Sequence, residues 1–259
     1  MLNCLTFDIE TVPDVEFGRR LYGLEDIDDA HVGAVMFGQR RQQTGSEFLP
    51  FEQQRVVAIS VALRSRDGFR VWSLGEAGAG EREIIERFFH GIEEYTPDLV
   101  SWNGAGFDLP VLHHRALKHA ISAPRFWETG DEDQSFRWNN YLSRFHWRHT
   151  DLMDVLSGFQ GRGRVSLGNV ALLLGLPGKL GMRGDEVWGA WQAGRIEAIR
   201  QYCEADVLNT YLIWLRFQLL RGRLTGPAHA AECTRVRSWL EASGAAHFRE
   251  FLAAWPPAP

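Results

Sequence analysis

Apolar and polar positions change rhythm along this chain, with short strand-like runs early and helical periods late. Met1–Phe7 is a largely apolar run that stops at Asp8. Arg55–Leu63 and Phe69–Leu74 are runs rich in β-branched residues on either side of Ser65-Arg66-Asp67-Gly68. They predict a first strand followed by a hairpin. Glu81–Glu94 places apolar residues at 84, 85, 88, 89 and 92, a helical period, and Pro97–Trp102 then predicts a buried strand. Leu109–Ala120 predicts a helix with Asp108 at its N-cap and Pro110 in its first turn. After Asp151 the pattern is helical: Leu167–Leu174, Asp185–Gln192, Arg195–Leu220 and Ala228–Trp255, broken at glycines and prolines. Residues 14–50 and 121–148 fit neither rhythm, being polar, glycine-bearing and rich in arginine and aromatics, and read as insertions. The expected organisation is one domain over 1–224, with a helical extension over 225–259 packed on it.

With 259 residues, 45% of them hydrophobic, the chain can bury a sizeable core as a single large domain. It has no apolar run of about 18 residues and no basic stretch at its start, so a soluble, cytoplasmic protein away from membranes is expected. Cys4, Cys203 and Cys233 are odd in number and widely spaced, which excludes a disulfide framework or thiolate zinc site and leaves packing as their expected role. The net charge of −5 excludes a global basic footprint for duplex nucleic acid, so any such contact must be local.

The candidate chemistry lies in three short motifs: Asp8-Ile9-Glu10-Thr11, Asn103-Gly104-Ala105-Gly106-Phe107-Asp108, and Tyr202-Cys203-Glu204-Ala205-Asp206. Each recurs by chance elsewhere; their order and context carry the weight. Asp8 and Glu10, two apart on a strand, share one sheet face. Tyr202 and Asp206, four apart on a helix, stack on one side. Four carboxylates with no cysteine or histidine in the set would suit Mg²⁺ or Mn²⁺ rather than zinc. Two such ions about 3.5–4 Å apart can drive phosphodiester hydrolysis.

In these motifs the sequence resembles the DEDD exonuclease superfamily, specifically the tyrosine-bearing branch that includes the proofreading domains of family B DNA polymerases. Ser166–Met182, Glu186-Val187-Trp188 and Asn209-Thr210-Tyr211 extend the likeness to stand-alone bacterial relatives, so that it spans most of residues 1–220. The resemblance implies an α/β, ribonuclease H-like fold: a mixed five-stranded sheet, its first three strands antiparallel, flanked by helices. It further implies 3′-to-5′ removal of nucleotides from single-stranded or frayed DNA, releasing nucleoside 5′-monophosphates. Asp8, Glu10, Asp108 and Asp206 would hold two divalent cations, Asp8 bridging them, and Tyr202 would orient the attacking water.

Other readings stand beside this one. His146-Trp-Arg-His-Thr-Asp151 has the spacing of the superfamily's histidine branch, although it follows a polar insertion rather than sitting in a long helix. Asn103, Phe107, Arg164 and Lys179 are candidate substrate-binding residues, the last two as phosphate contacts from glycine-bearing loops. Trp127, Trp138 and Trp147, interleaved with Arg125, Arg137, Arg144 and Arg148, would form either a stacking flap or, by default, a packed insertion. The partner is a nucleic-acid 3′ end. RNA in place of DNA, or an idle nucleic-acid-binding module, remains open at this stage.

Overall fold

The computed structural model describes residues 3–256. Its mixed sheet has five strands, β1 (Cys4–Pro13), β2 (Gln54–Ser65), β3 (Gly68–Ser73), β4 (Asp98–Ser101) and β5 (His149–Asp151), in the order β3-β2-β1-β4-β5. β1, β2 and β3 are antiparallel neighbours, while β4 and β5 run parallel to β1. The helices are α1 (Val15–Tyr22), α2 (Asp29–Thr44), α3 (Glu81–Tyr95), α4 (Asp108–His119), α5 (Pro124–Trp127), α6 (Leu152–Leu156), α7 (Leu167–Leu173), α8 (Val187–Gln192), α9 (Ile196–Leu220), α10 (Gly226–Ser243) and α11 (Ala246–Ala254).

The pleat of β1 sorts its residues between two cores. Leu5, Phe7 and Ile9 join Ile59, Val61 and Leu99 against α3 and α4. Cys4 lies with Ala62, Val71 and Val100 on the other face, against α9. Asp8 and Glu10 keep the even register and so face α9. That helix is buried along nearly its whole length, which explains why its apolar residues show little one-sided pattern. Val236 and Leu240 of α10, Phe248 and Phe251 of α11, and Trp255 just after it enter the same core as α9. A largely buried ion pair, Arg64 Nε to Glu232 Oε2 at 2.7 Å, fastens α10 to β2.

Several elements differ from the sequence expectation. β1 does not stop at Asp8: β2 pairs with it as far as Pro13, so the acids sit within the strand, next to a register shift between Glu10 and Thr11. The resemblance implies a fifth strand, but no pattern in the sequence places it, and β5 is only three residues long. The helix expected over 228–255 is two, because Gly244 takes a left-handed φ of 70° and ends α10. Asp108 is the first residue inside α4 rather than its cap, which falls on Phe107.

Residues 14–50 form a helical hairpin. Asp14 and Asp28 cap α1 and α2, accepting from Phe17 N and His31 N, and Gly23 and Gly45 end them in left-handed conformations. Val32, Met36 and Leu49 make a small core beneath the hairpin, and the Trp188 indole packs so closely on Gly33 that no Cβ fits there. Arg115 of α4 ties the hairpin to the body, reaching Asp14 Oδ2 and, through Nε, Glu81 Oε1 at 2.6 Å each. In 121–148, Phe126, Phe136 and Tyr141 enter the α3–α4 core and the Arg148 guanidinium sits 3.9 Å from the Phe136 ring centre. The segment is packed against the body, with Trp127, Trp138 and Trp147 at its surface.

Candidate active site

β4 pairs with β1 only from Cys4 to Thr6, so the β4-side edge of β1 is open beyond that point. A buried strand amide needs a partner. Asp108 supplies it: its Oδ1 accepts from Ile9 N at 3.2 Å, which brings the start of α4 against the middle of β1. The loop that delivers Asp108 is held from β5, where Asp151 accepts from Asn103 N at 2.9 Å and Ala105 N at 3.0 Å. Asn103 adopts a left-handed φ of 65° in this loop, and Gly104 has no room for a Cβ against the Ser101 side chain.

The third contribution comes from α9. The Cys203 thiol donates to the Asp8 carbonyl at 3.4 Å, pinning the helix to the strand. Ligand atoms of Asp8, Glu10 and Cys203 lie within 4.8 Å of one another. One residue earlier and three later, Tyr202 and Asp206 reach the same place. Asp206 is only 6% exposed, and its Oδ1 has no hydrogen-bond partner.

The electrostatics follow from this convergence. Burial pushes Asp8 well above the usual carboxylate range, and the charges of Asp108, Glu10 and Asp206 push it further. Glu10 is raised by burial and by Asp206, with Lys179 opposing. Burial raises Asp108 to about 7 against the Ile9 amide, and raises Asp206 to about 6 against Lys179 and Tyr202. Lys179 also donates from Nζ to the Tyr202 hydroxyl at 2.9 Å. The Lys179 ammonium thus offsets Glu10 and Asp206 but not Asp8 or Asp108, and a buried Asp206 oxygen remains unpaired. The donor set is hard and oxygen-rich, and its need for added positive charge fits divalent cations. Cys203 belongs to the set by position, but burial and the Asp8 and Glu10 charges push its thiol up, so it stays protonated and acts as a donor.

The remaining candidates are distributed differently. Phe107 lines a cleft of about 720 Å³ together with Glu10 and Lys179. Asn103 keeps a buried Oδ1 without a hydrogen-bond partner. Arg164 pairs with Asp154 Oδ1 at 3.3 Å and does not line that cleft. His146 Nδ1 accepts from Asn140 N at 3.0 Å, and His149 Nε2 pairs with Ser101 Oγ at 2.8 Å, its burial lowering it to about 4. With Asp151 occupied by loop amides, the histidine motif supports the loop, and Tyr202 is the residue that faces the acids. Sequence reasoning missed Cys203, whose place beside Tyr202 was the available clue, and Phe48, which lines the same cleft.

This sheet is of the ribonuclease H-like class, and the acids gathered on it suit metal-assisted phosphate chemistry. Residues 46–255 match a family model described as "Predicted 3'-5' exonuclease related to the exonuclease domain of PolB", and the chain belongs to that family. Asp8 and Glu10 lie ahead of the matched span. Relatives include a DNA polymerase of Archaeoglobus fulgidus, 27% identical over 165 residues, which are 62% of this chain and 20% of that protein. A DNA polymerase of Pyrococcus glycovorans is 29% identical over 163 residues, 58% of this chain and 20% of its own length. The match therefore spans about a fifth of these polymerases. Among the described residues no helix is long and apolar enough to cross a membrane.

Proposed function

We propose that this chain hydrolyses single-stranded or frayed DNA stepwise from the 3′ end, releasing nucleoside 5′-monophosphates, with Asp8, Glu10, Asp108 and Asp206 holding two Mg²⁺ or Mn²⁺ ions. The observation that carries the reading is the convergence of these acids, from β1, the start of α4 and α9, with the Lys179 ammonium beside Glu10 and Asp206. Bound divalent cations supply Lewis-acid charge to the phosphate and lower the pKa of water. The chain's own groups do the positioning. Burial and the neighbouring carboxylates raise the Tyr202 phenol far above its ordinary value, so it is neutral at every working pH. Because Lys179 donates to its oxygen, the phenolic proton is left free to hold a water or a carboxylate in place. Cys203 and the Ile9 amide fix Asp8 and Asp108 in turn, so the acids sit on rigid elements.

End-labelled DNA and RNA oligonucleotides incubated with Mg²⁺, Mn²⁺ or EDTA test this, with Asp8→Ala as the control. A ladder that shortens from the 3′ end only with metal, and is lost in the variant, is the expected result. Degradation of RNA alone would overturn the DNA assignment. Binding without degradation of either polymer would make the chain an idle nucleic-acid-binding module.

A further inference from the structure

The cleft beside Glu10 has one wall that the three motifs do not account for. Residues 46–49 cross it on the way from α2 to β2. Leu49 turns inward to the hairpin core, at 2% exposed, while Phe48 turns outward and is 56% exposed. An extended segment places neighbours on opposite sides in this way. The segment is not loose: Arg40 Nε donates to Phe48 O at 2.8 Å, and Phe48 N donates to Ser46 Oγ at 3.1 Å. Gln54 Nε2 donates to Leu49 O at 3.0 Å while its Oε1 accepts from Thr11 of β1 at 2.8 Å, so this wall is tied to the strand that bears the acids. The exposed ring meets Phe107, the residue before Asp108, at 5.2 Å between centroids with planes tilted by 56°.

Such a tilt leaves the two rings as adjoining walls and not as a closed stack. Leaving a large aromatic half in water beside a polar floor costs free energy unless a flat apolar partner covers it. At about 720 Å³ the cleft falls within the range of small-ligand sites, and Glu10, Lys179 and Arg183 line it beside the two phenylalanines. Acids for metals, cations for phosphate and two aromatic faces occur together there. That combination matches a terminal nucleotide whose base has left its partner strand.

We propose that Phe48 is a specificity-determining residue which, with Phe107, clamps the unpaired base of the 3′-terminal nucleotide while its phosphate lies by Glu10. The clamp rests on the exonuclease reading of the same site. A base still paired in a duplex has no free face to offer the two rings, so the clamp selects single-stranded and frayed ends. The helical hairpin of residues 14–50 then acts as the mount for a substrate contact.

The test compares wild type with Phe48→Ala and Phe48→Trp on oligodeoxynucleotides ending in a normal or an abasic 3′ nucleotide. With base-bearing ends, Phe48→Ala should raise KM about tenfold, as expected for loss of one base–aromatic stack, and Phe48→Trp should restore it. With abasic ends wild type is already weakened, and Phe48→Ala should add nothing further. Equal KM for wild type and Phe48→Ala on base-bearing ends overturns the clamp; so does an equal loss on both kinds of end. A 3′-terminal 2-aminopurine oligonucleotide in Ca²⁺ separates this from the catalytic reading. Quenching by wild type that disappears in Phe48→Ala supports the clamp even if no hydrolysis is seen. Hydrolysis with quenching unchanged in Phe48→Ala overturns the clamp alone.

Discussion

Replacing Asp206 by Asn should abolish hydrolysis and yet stabilise the metal-free protein. Burial lifts the Asp206 carboxyl from 3.8 to about 6 in the folded chain, net of the help from Lys179 and Tyr202. An acid whose folded pKa lies above its unfolded one carries no penalty below the unfolded value; its penalty grows as pH rises and is complete above the folded value. That rise corresponds to about 3 kcal/mol at pH 7.5. For a chain of this size that is roughly 6–12 °C in Tm. Differential scanning calorimetry in EDTA should therefore place Asp206→Asn above wild type at pH 7.5, with the gap closing by about pH 4. Wild type in EDTA should itself lose stability as pH rises above about 4 and on through about 7, where Asp108 ionises, with Asp8 and Glu10 adding to the loss at the alkaline end. Added Mn²⁺ should raise the wild-type Tm and have a much smaller effect on the variant. A metal-free Asp206→Asn that melts at or below wild type at pH 7.5 would refute the claim that burial makes the ionised Asp206 carboxylate costly to the metal-free fold.

Tyr202→Phe should cut kcat by about two orders of magnitude or more, while the Mn²⁺-induced rise in Tm persists; loss of that rise would move Tyr202 from water positioning to metal retention. Arg115→Met removes the buried guanidinium that joins Asp14 to Glu81, leaving Asp14 to Lys118 and Glu81 to His119, and should cost about 3 kcal/mol in denaturant melts, an effect near zero meaning that the hairpin is not held through this arginine. Lys118 and Arg115 hold the Asp14 carboxyl below its usual range, so wild type should lose this contribution as pH falls below about 4, whereas Asp14→Asn should lack that acid-sensitive component. His146→Ala should change kcat by less than about twofold, since this ring only accepts a loop amide; a collapse in rate would reopen the histidine motif.

The elements that could be read from the chain are those whose burial leaves a period. Residues 55–63 and 69–74 alternate or run apolar as a hairpin must, and 84, 85, 88, 89 and 92 mark the buried side of α3. The end of β1 could not be read, because Thr11–Pro13 are held by pairing with Gln54–Val56 across the sheet and not by hydrophobicity of their own. β5 is too short for a period. The hairpin of 14–50 buries only Val32, Gly33 and Met36 from α2, too few to give a stripe. Its signature lay instead in Asp14, Gly23, Asp28 and Gly45 at the helix ends. For the site, Asp8 and Glu10 were legible from strand spacing, and Tyr202 with Asp206 from helix spacing. The Asp108 link to Ile9 was hidden because it replaces a strand pairing that no sequence pattern announces. The wall built by Phe48 depends on a segment that is polar and irregular until it packs.

The dual duty of α9 has a consequence for the order in which this molecule is assembled. The helix is both the central beam of one core and the bearer of Tyr202 and Asp206. Until it docks, Asp8 and Glu10 on the sheet stand in water, where their charges cost little. Electrostatic tension therefore enters with the packing of α9 onto the sheet. Without α9 in place the acid set is incomplete, because the contact that seals the interior is also the one that brings Tyr202 and Asp206 to Asp8 and Glu10.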